Sequence, residues 1–255
     1  MFWYKGQQIN SPHLQLDIND PGLCFGATVF STMRVYEKSI AHPMTSWQAH
    51  CDRLKTSIQA FAWQEPSWQD LATGAKLLAQ HHTVLRLTIF PDGRELIVGR
   101  ELPANLPQRQ QSGIVGWVAR YPQYQRQLPQ YKTGNYLTTY LARSQALSHQ
   151  AQEAILVDAQ GNWLETSTGN LWGWQYGCWY TPPLDSGILP GIARSRWFHF
   201  WQSKGYKVKE ITWTPDFVRG LESIAYSNCV VDFVPFKTVI DNQQIWNFPP
   251  RQPEN

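Results

Sequence analysis

Two hydrophobic periods run along this chain, and the switches between them mark its elements. The opening MFWYKGQQI reads as a short strand and its turn. Residues 22–37 form a glycine-punctuated loop that runs into a strand. Over 50–63, Leu54, Ile58, Phe61 and Ala62 share one helical face, which predicts a helix. A second helix is expected after Pro66. TVLRLTIF and ELIVGR predict a hairpin about the turn PDGR. Residues 103–130 are rich in Pro and Gln, broken by the short strand IVGWVA. A helix is predicted over 135–149, followed by strand-like segments at 153–159 and 163–174 about a Gly161-Asn162 turn. A further helix is expected over 191–204, with Ala193, Trp197, Phe200 and Trp201 on one face. KVKEITWT, SIAYSNCVV and FVPFKTVI complete the strands. The pattern is mixed α and β, with hairpins too close together for an all-parallel sheet. The change in composition sets a domain boundary near 106–113. It divides the chain into a smaller N-terminal α+β domain (1–110) and a larger C-terminal domain (111–255).

Composition narrows the class. The chain has 255 residues, 42% hydrophobic and 16% charged, so it is globular rather than disordered. Its net charge is +3, and the cations are scattered without a dense basic run, which argues against a nucleic-acid partner. No run of about 18 apolar residues predicts a membrane span, and MFWYKGQQIN does not resemble a secretory leader. The cysteines Cys24, Cys51, Cys178 and Cys229 are dispersed and suggest neither a zinc site nor a disulfide framework. A reduced cytoplasmic compartment is the simplest expectation. The histidines show no metal-ligand spacing, so no metal is expected. Thirteen tryptophans point to core and interface packing.

Three segments carry candidate chemistry. Lys132 in YKTGNYL precedes a predicted helix, and its ordinary reading is a solvated loop lysine. Glu165 in WLETSTGNLW is a lone carboxylate among apolar and small residues; buried carboxylates are rare unless paired, and the ordinary reading is an exposed turn. Gly191 opens a predicted helix after a proline, a geometry that presents backbone N–H groups to an anion but also describes a plain helix start.

The order and spacing of six segments resemble one family. DPGLCFGATVFSTMRVY (20–36) is similar to the family pattern D-R-G-x-x-x-G-D-G-x-F-x-T-x-R. HCDRL (50–54), KTGNYL (132–137), ETSTGNL (165–171), TPPLDSGILPGIAR (181–194) and SNCVVDFVPF (227–236) follow in the family's order. The family is the fold-type IV pyridoxal 5′-phosphate (PLP) enzymes, which comprise branched-chain and D-amino-acid aminotransferases and 4-amino-4-deoxychorismate lyase. The resemblance implies a mixed α+β, two-domain fold of the D-amino-acid aminotransferase type, with PLP between the domains, and a homodimer. It makes Lys132 the covalent anchor of the cofactor aldehyde and the proton shuttle. Glu165 would face the pyridine nitrogen and favour its protonated form. Arg53 would bind the phosphate, with N–H groups of Gly191, Ile192 and Ala193, while Ser227, Asn228 and Cys229 cap it from the other side. Tyr136 would bond the cofactor's phenolic oxygen, as in the branched-chain branch. His50 is expected to be structural.

Departures from the pattern bear on the branch. Pro21 stands where the family has arginine, and Gly26-Ala27-Thr28 replaces G-D-G. Phe30-Ser31-Thr32 replaces the aminotransferases' F-E-T or F-E-G, and lyases more often carry a small hydroxyl residue there. Lys132 and Glu165 are 33 residues apart, which is lyase-like. Arg86 occupies the strand position of an aminotransferase arginine that binds the substrate carboxylate, although a lyase substrate also needs such a partner. The expectation is therefore a 4-amino-4-deoxychorismate lyase of folate synthesis, giving 4-aminobenzoate and pyruvate, with Lys132 and Thr32 handling protons and Arg86 binding substrate. An aminotransferase for branched-chain or D-amino acids is the alternative, and a non-catalytic PLP-binding protein is the third.

Overall fold

In a computed structural model describing residues 1–253, the chain forms two compact units. One comprises Met1–Pro103 with Tyr131–Tyr136; the other comprises Ala104–Gln130 and the chain from Leu137 onward. The content is mixed α and β, as the sequence pattern predicts.

The first unit is one antiparallel sheet backed by two helices. Its elements are β1 (Phe2–Tyr4), β2 (Gln7–Ile9), α1 (Pro21–Cys24), β3 (Val29–Arg34), α2 (Trp47–Ala60), α3 (Trp68–Ala79), β4 (Val84–Ile89) and β5 (Glu95–Arg100). The strand order is β2-β1-β5-β4-β3. Strand side chains alternate between faces, so the sheet sorts its residues. Val29, Met33, Leu85, Leu87, Ile89 and Ile97 point to one side and pack with Leu54, Ile58, Leu71 and Leu78 of the helices. Each such aliphatic side chain contributes about 1.5–3 kcal/mol by leaving water. Phe30, Thr32, Arg34, Arg86 and Arg100 occupy the alternate positions, on the opposite face.

The predicted helix over 50–63 is observed shifted, over Trp47–Ala60. Its N-cap, Ser46, lies in the left-handed region and makes no side-chain capping bond, so the start carries no capping signal. Its end is a Schellman motif. The N–H of Trp63 reaches the carbonyl of Ile58 at 3.0 Å and that of Ala62 reaches Gln59 at 3.2 Å, with Ala62 left-handed at φ 52°. An alanine in the place usually taken by glycine hides this stop in the sequence. The second helix follows Pro66 as expected, with Ser67 capping it through the N–H of Asp70.

The second unit holds α4 (Leu106–Ser112), β6 (Ile114–Ala119), α5 (Leu137–Ser148), β7 (Glu153–Val157), β8 (Trp163–Thr166), β9 (Asn170–Gln175), β10 (Cys178–Thr181), α6 (Ile192–Ser203), β11 (Lys207–Glu210), α7 (Pro215–Arg219), β12 (Ser223–Asn228), β13 (Asp232–Asp241) and β14 (Gln244–Asn247). Strands β9, β12, β13, β6, β7 and β8 pair in turn, and β8 pairs back to β9. The ring closes through one register pair, Glu165 with Asn170. The Pro/Gln-rich segment contains the unpredicted α4. Pro107 in its first turn and Gly113 at φ 72° beyond its end are the local signals that composition masked.

Tryptophans seat α6. Trp201 stacks on Trp179 of β10 with centroids 4.4 Å apart, and on Trp197 one turn earlier at 5.1 Å. With Trp172, Trp174 and Phe233 they form a single cluster. The tryptophan excess thus belongs largely to the core. Among the described residues no helix is long and apolar enough to cross a membrane, and none of the four cysteines forms a disulfide.

Asp20, in the loop ahead of β3, accepts from the N–H of Gly22 and from Arg94 Nη2, both at 2.7 Å. Arg94 also donates to Asp92 and to Tyr4 Oη, and so supplies a guanidinium where the expected neighbouring arginine is Pro21. Burial opposes charge on Asp20. The bonds from Arg94 and Gly22, together with the charge of Arg94, outweigh burial and hold the carboxyl below its ordinary value. A depressed native value stabilises the fold above the unfolded Asp value of about 3.9, and the contribution is lost as pH falls through the lower native value. Asp20→Asn should cost about 1–3 kcal/mol at pH 7. Urea midpoints at pH 3 and pH 7 check this: the gap between variant and wild type should shrink at the lower pH.

Candidate active site

Lys132 is placed by backbone pairing. Its carbonyl accepts from the N–H of Phe30 at 2.9 Å, Thr133 bridges to Val29, and Gly134 donates to the carbonyl of Thr28 at 2.6 Å. Segment 131–136 thereby extends the edge of the first unit's sheet beside β3. Gly134 must lack a side chain, because a Cβ there would lie 2.1 Å from Thr28 Oγ1. The altered Gly26-Ala27-Thr28 segment is thus the support of the lysine loop. Lys132 Nζ donates to Tyr136 Oη at 3.0 Å and lies 4.7 Å from the centroid of the Phe30 ring. Arg86 stacks on the same ring at 3.7 Å. Thr32 and Arg86 are register partners on β3 and β4, so their side chains share the Phe30 face.

Ser31, one residue from Thr32, points the other way. It is fully buried, with its Oγ 2.7 Å from His50 Nδ1 on α2. Arg53 follows His50 by one turn, half-buried on the same helix.

The second unit gathers the remaining candidates at the strand ends around the ring closure. Glu165 is buried, accepting from Arg126 Nη1 at 2.5 Å and from the N–H of Leu189 at 3.1 Å. Its ring-closure partner Asn170 donates to the carbonyl of Leu189 at 2.8 Å. Leu189 is thus held from both sides, which fixes the chain entering α6. Gly191 is the N-cap of α6, and no side chain caps it. A Cβ on Gly191 would lie 1.9 Å from Asn170 Oδ1, so only glycine fits. The first-turn N–H groups of Ile192 and Ala193 have no intrahelical acceptors, and the helix dipole makes this end attractive to an anion.

The side chains of Ser227 and Asn228 are engaged within the second unit. Ser227 Oγ accepts the indole N–H of Trp172 at 2.9 Å and is fully buried. Asn228 holds the turn after β12: Oδ1 accepts from Val230 and Val231 at 2.8 and 2.9 Å, and Nδ2 donates to the carbonyl of Thr168 at 3.2 Å. Their side chains shape the turn, and Cys229 sits half-buried within it.

The donor set suits a phosphorylated aldehyde cofactor. Each unit by itself offers groups that such a molecule requires: the first an amine paired with a phenol, the second a buried carboxylate on a guanidinium and an uncapped helix start with a glycine that tolerates no Cβ. Among the described residues no acidic, His or Cys cluster could hold a metal ion. Arg126 is the residue that sequence reasoning missed. It lies in the segment read as a boundary, and a lone buried carboxylate signals that some cation is needed without saying which.

Residues 28–239 match the model of the family described as Amino-transferase class IV. The chain belongs to the class IV aminotransferase family. This family is PLP-dependent and contains both transaminases and lyases. The chain is similar to the branched-chain-amino-acid aminotransferase of Escherichia coli (strain K12), 23% identical over 93% of this chain and 84% of that protein. It is also similar to the aminodeoxychorismate lyase of Vibrio harveyi, 22% identical over 98% of this chain and 95% of that one. Among solved structures, the E. coli branched-chain amino acid aminotransferase superposes with a TM-score of 0.84 at 22% identity, covering 99% of this chain and 90% of that one. A PLP-bound hypothetical aminotransferase from Mycobacterium tuberculosis gives 0.81 at 19% identity, over 94% and 90%. The class IV family therefore accounts for the fold.

Removing one member of a buried ion pair leaves the other uncompensated. Arg126→Met should destabilise the apoprotein by about 3 kcal/mol. Adding Glu165→Gln to Arg126→Met should recover part of that loss in urea unfolding, because the two effects are coupled. Simple additivity would show that the pair is not a unit.

Proposed function

We propose that this class IV enzyme is a 4-amino-4-deoxychorismate lyase, forming 4-aminobenzoate and pyruvate for folate synthesis. PLP, bonded to Lys132, supplies the electron sink for breaking the bond to the ring carbon's proton. Glu165, fixed by Arg126 and the N–H of Leu189, is the buried carboxylate suited to favour the protonated form of the pyridine nitrogen. Gly191, Ile192 and Ala193 take the phosphate, with Arg53. The turn of Ser227, Asn228 and Cys229 offers backbone groups to it.

The observation that carries the lyase reading is the face shared by Thr32, Arg86 and the Phe30 ring beneath Lys132. With the cofactor in place, Lys132 Nζ would be the base that removes the proton from the substrate carbon bearing nitrogen. Tyr136, bonded to Nζ, orients that amine. A proton must also reach the methylene of the departing enolpyruvyl group, and either Lys132 or the hydroxyl of Thr32 can deliver it. Arg86 holds a substrate carboxylate. Aromatisation supplies the driving force, so the residues mainly orient and move protons. Ser31 cannot replace Thr32, because it is buried against His50 on the opposite face.

An aminotransferase is the second reading. The Lys132–Tyr136 contact favours it, because a tyrosine there resembles the branched-chain branch. The two separate on one requirement: transamination needs a 2-oxo acid acceptor and the lyase does not. Incubating the holoenzyme with 4-amino-4-deoxychorismate alone should give equimolar 4-aminobenzoate and pyruvate. Lys132→Ala should abolish turnover, and Thr32→Val should lower kcat by about 10²–10⁴-fold if the hydroxyl is the proton donor. Absence of product without an oxo acid, together with amino-group transfer from an amino acid to 2-oxoglutarate, would replace the lyase reading by the aminotransferase one.

A further inference from the structure

The face that carries Thr32 and Arg86 continues into two more arginines. Arg34 on β3 pairs in register with Val84 on β4, and Val84 pairs with Arg100 on β5. Arg86 lies two residues along β4 from Val84, opposite Thr32 and Val98. Directly paired residues share a face, as do residues two apart on one strand. Arg34, Arg86 and Arg100 therefore surround Val84 on one side of the sheet, away from the core of α2 and α3. The row formed by Arg34 and Arg100 is one pleat repeat, about 7 Å, farther than Arg86 from the Phe30 ring that Lys132 covers.

Three cations gathered this way repel one another unless an anion joins them. Among the described residues none of the three has a carboxylate in an ion pair. Arg86 bonds the hydroxyl of Thr88, at 3.5 Å, and stacks on the Phe30 ring. Arg34 stacks on Tyr36 at 4.7 Å. The carboxylate next in sequence, Glu101, is engaged by His82 and Thr83. Burial, and after it the charge of Arg100, lower the proton affinity of Arg86, with Tyr136 opposing them.

We propose that Arg34 and Arg100 form a second carboxylate subsite beyond Arg86, so that this face selects a substrate bearing two carboxylates, one on Arg86 and the other a pleat farther from Lys132. A dicarboxylate meets both rows, and its second charge relieves the repulsion among the guanidiniums. An amino acid with an aliphatic side chain brings one carboxylate and leaves Arg34 and Arg100 unused. Guanidinium groups suit this task because each can bond a carboxylate through two parallel N–H groups. The inference rests on the lyase reading for the position of the reacting amine, since 4-amino-4-deoxychorismate carries two carboxylates. The charge pattern itself is independent of which reaction follows.

The test compares isophthalate with benzoate as ligands of the PLP-loaded protein, by calorimetric titration. Wild type should prefer isophthalate by about tenfold or more, the worth of one charge-assisted pairing. In the double variant Arg34→Gln/Arg100→Gln that preference should collapse to about twofold while benzoate affinity stays at the wild-type value; an unchanged cofactor absorbance and melting temperature exclude misfolding. Arg86→Gln should weaken both ligands. Retention of the isophthalate preference in the double variant, or its absence from wild type, overturns the subsite. The outcome separates from that of the lyase assay. A dicarboxylate preference lost in the double variant, in a protein that yields no 4-aminobenzoate, keeps the subsite and removes the lyase. Turnover of 4-amino-4-deoxychorismate with an unchanged KM in the double variant keeps the lyase and removes the subsite.

Discussion

Everything proposed for this chain depends on a short stretch of backbone pairing between residues 131–136 and the start of β3. The bonds from Phe30 to Lys132 and from Gly134 to Thr28 fix a lysine that would otherwise wander on a loop. They also decide what that lysine sees. A strand neighbour presents its side chains in register with the sheet, so Nζ lies over Phe30 and beside Tyr136, on the face that carries Thr32 and Arg86. Shifting the pairing by one residue would turn the lysine to the other side, as for any strand. Gly134 guards this register, since any side chain there would collide with Thr28.

The second unit solves a parallel problem with different means. Glu165 must be held as a buried carboxylate, which is costly unless it is paired. Closure of the strand ring at Glu165 and Asn170 places it, and Arg126 and the N–H of Leu189 satisfy it. The same closure places Asn170 against the chain entering α6, where Gly191 admits the close approach. Stacked tryptophans then clamp α6 to the sheet, so the direction of its N-terminus is a consequence of core packing. The carboxylate and the anion-attracting helix end are thus set by one local geometry.

Much of this was legible in the sequence. The hairpin about Pro91–Arg94, the helix after Pro66 and α6 followed from periodicity and turn residues, because local pattern and final fold agree there. The helix end at Ala60 did not, since an alanine occupies the left-handed position, and α4 was masked by a composition that resembles a linker. The candidate residues emerged as a set only through six ordered segments, because Lys132, Glu165 and Gly191 are ordinary when taken singly. Arg126 could not be found that way: an ion pair across 39 residues leaves no periodic trace. Nor could the clustering of Arg34, Arg86 and Arg100, which depends on the register of three strands.

The central claim is that Lys132 is the residue to which the cofactor is bonded. Reducing the PLP-loaded protein with borohydride and mapping the phosphopyridoxyl group by peptide mass spectrometry tests it most directly. The account predicts modification at Lys132 and at no other lysine. Modification elsewhere, or none in protein that has taken up PLP, would contradict it.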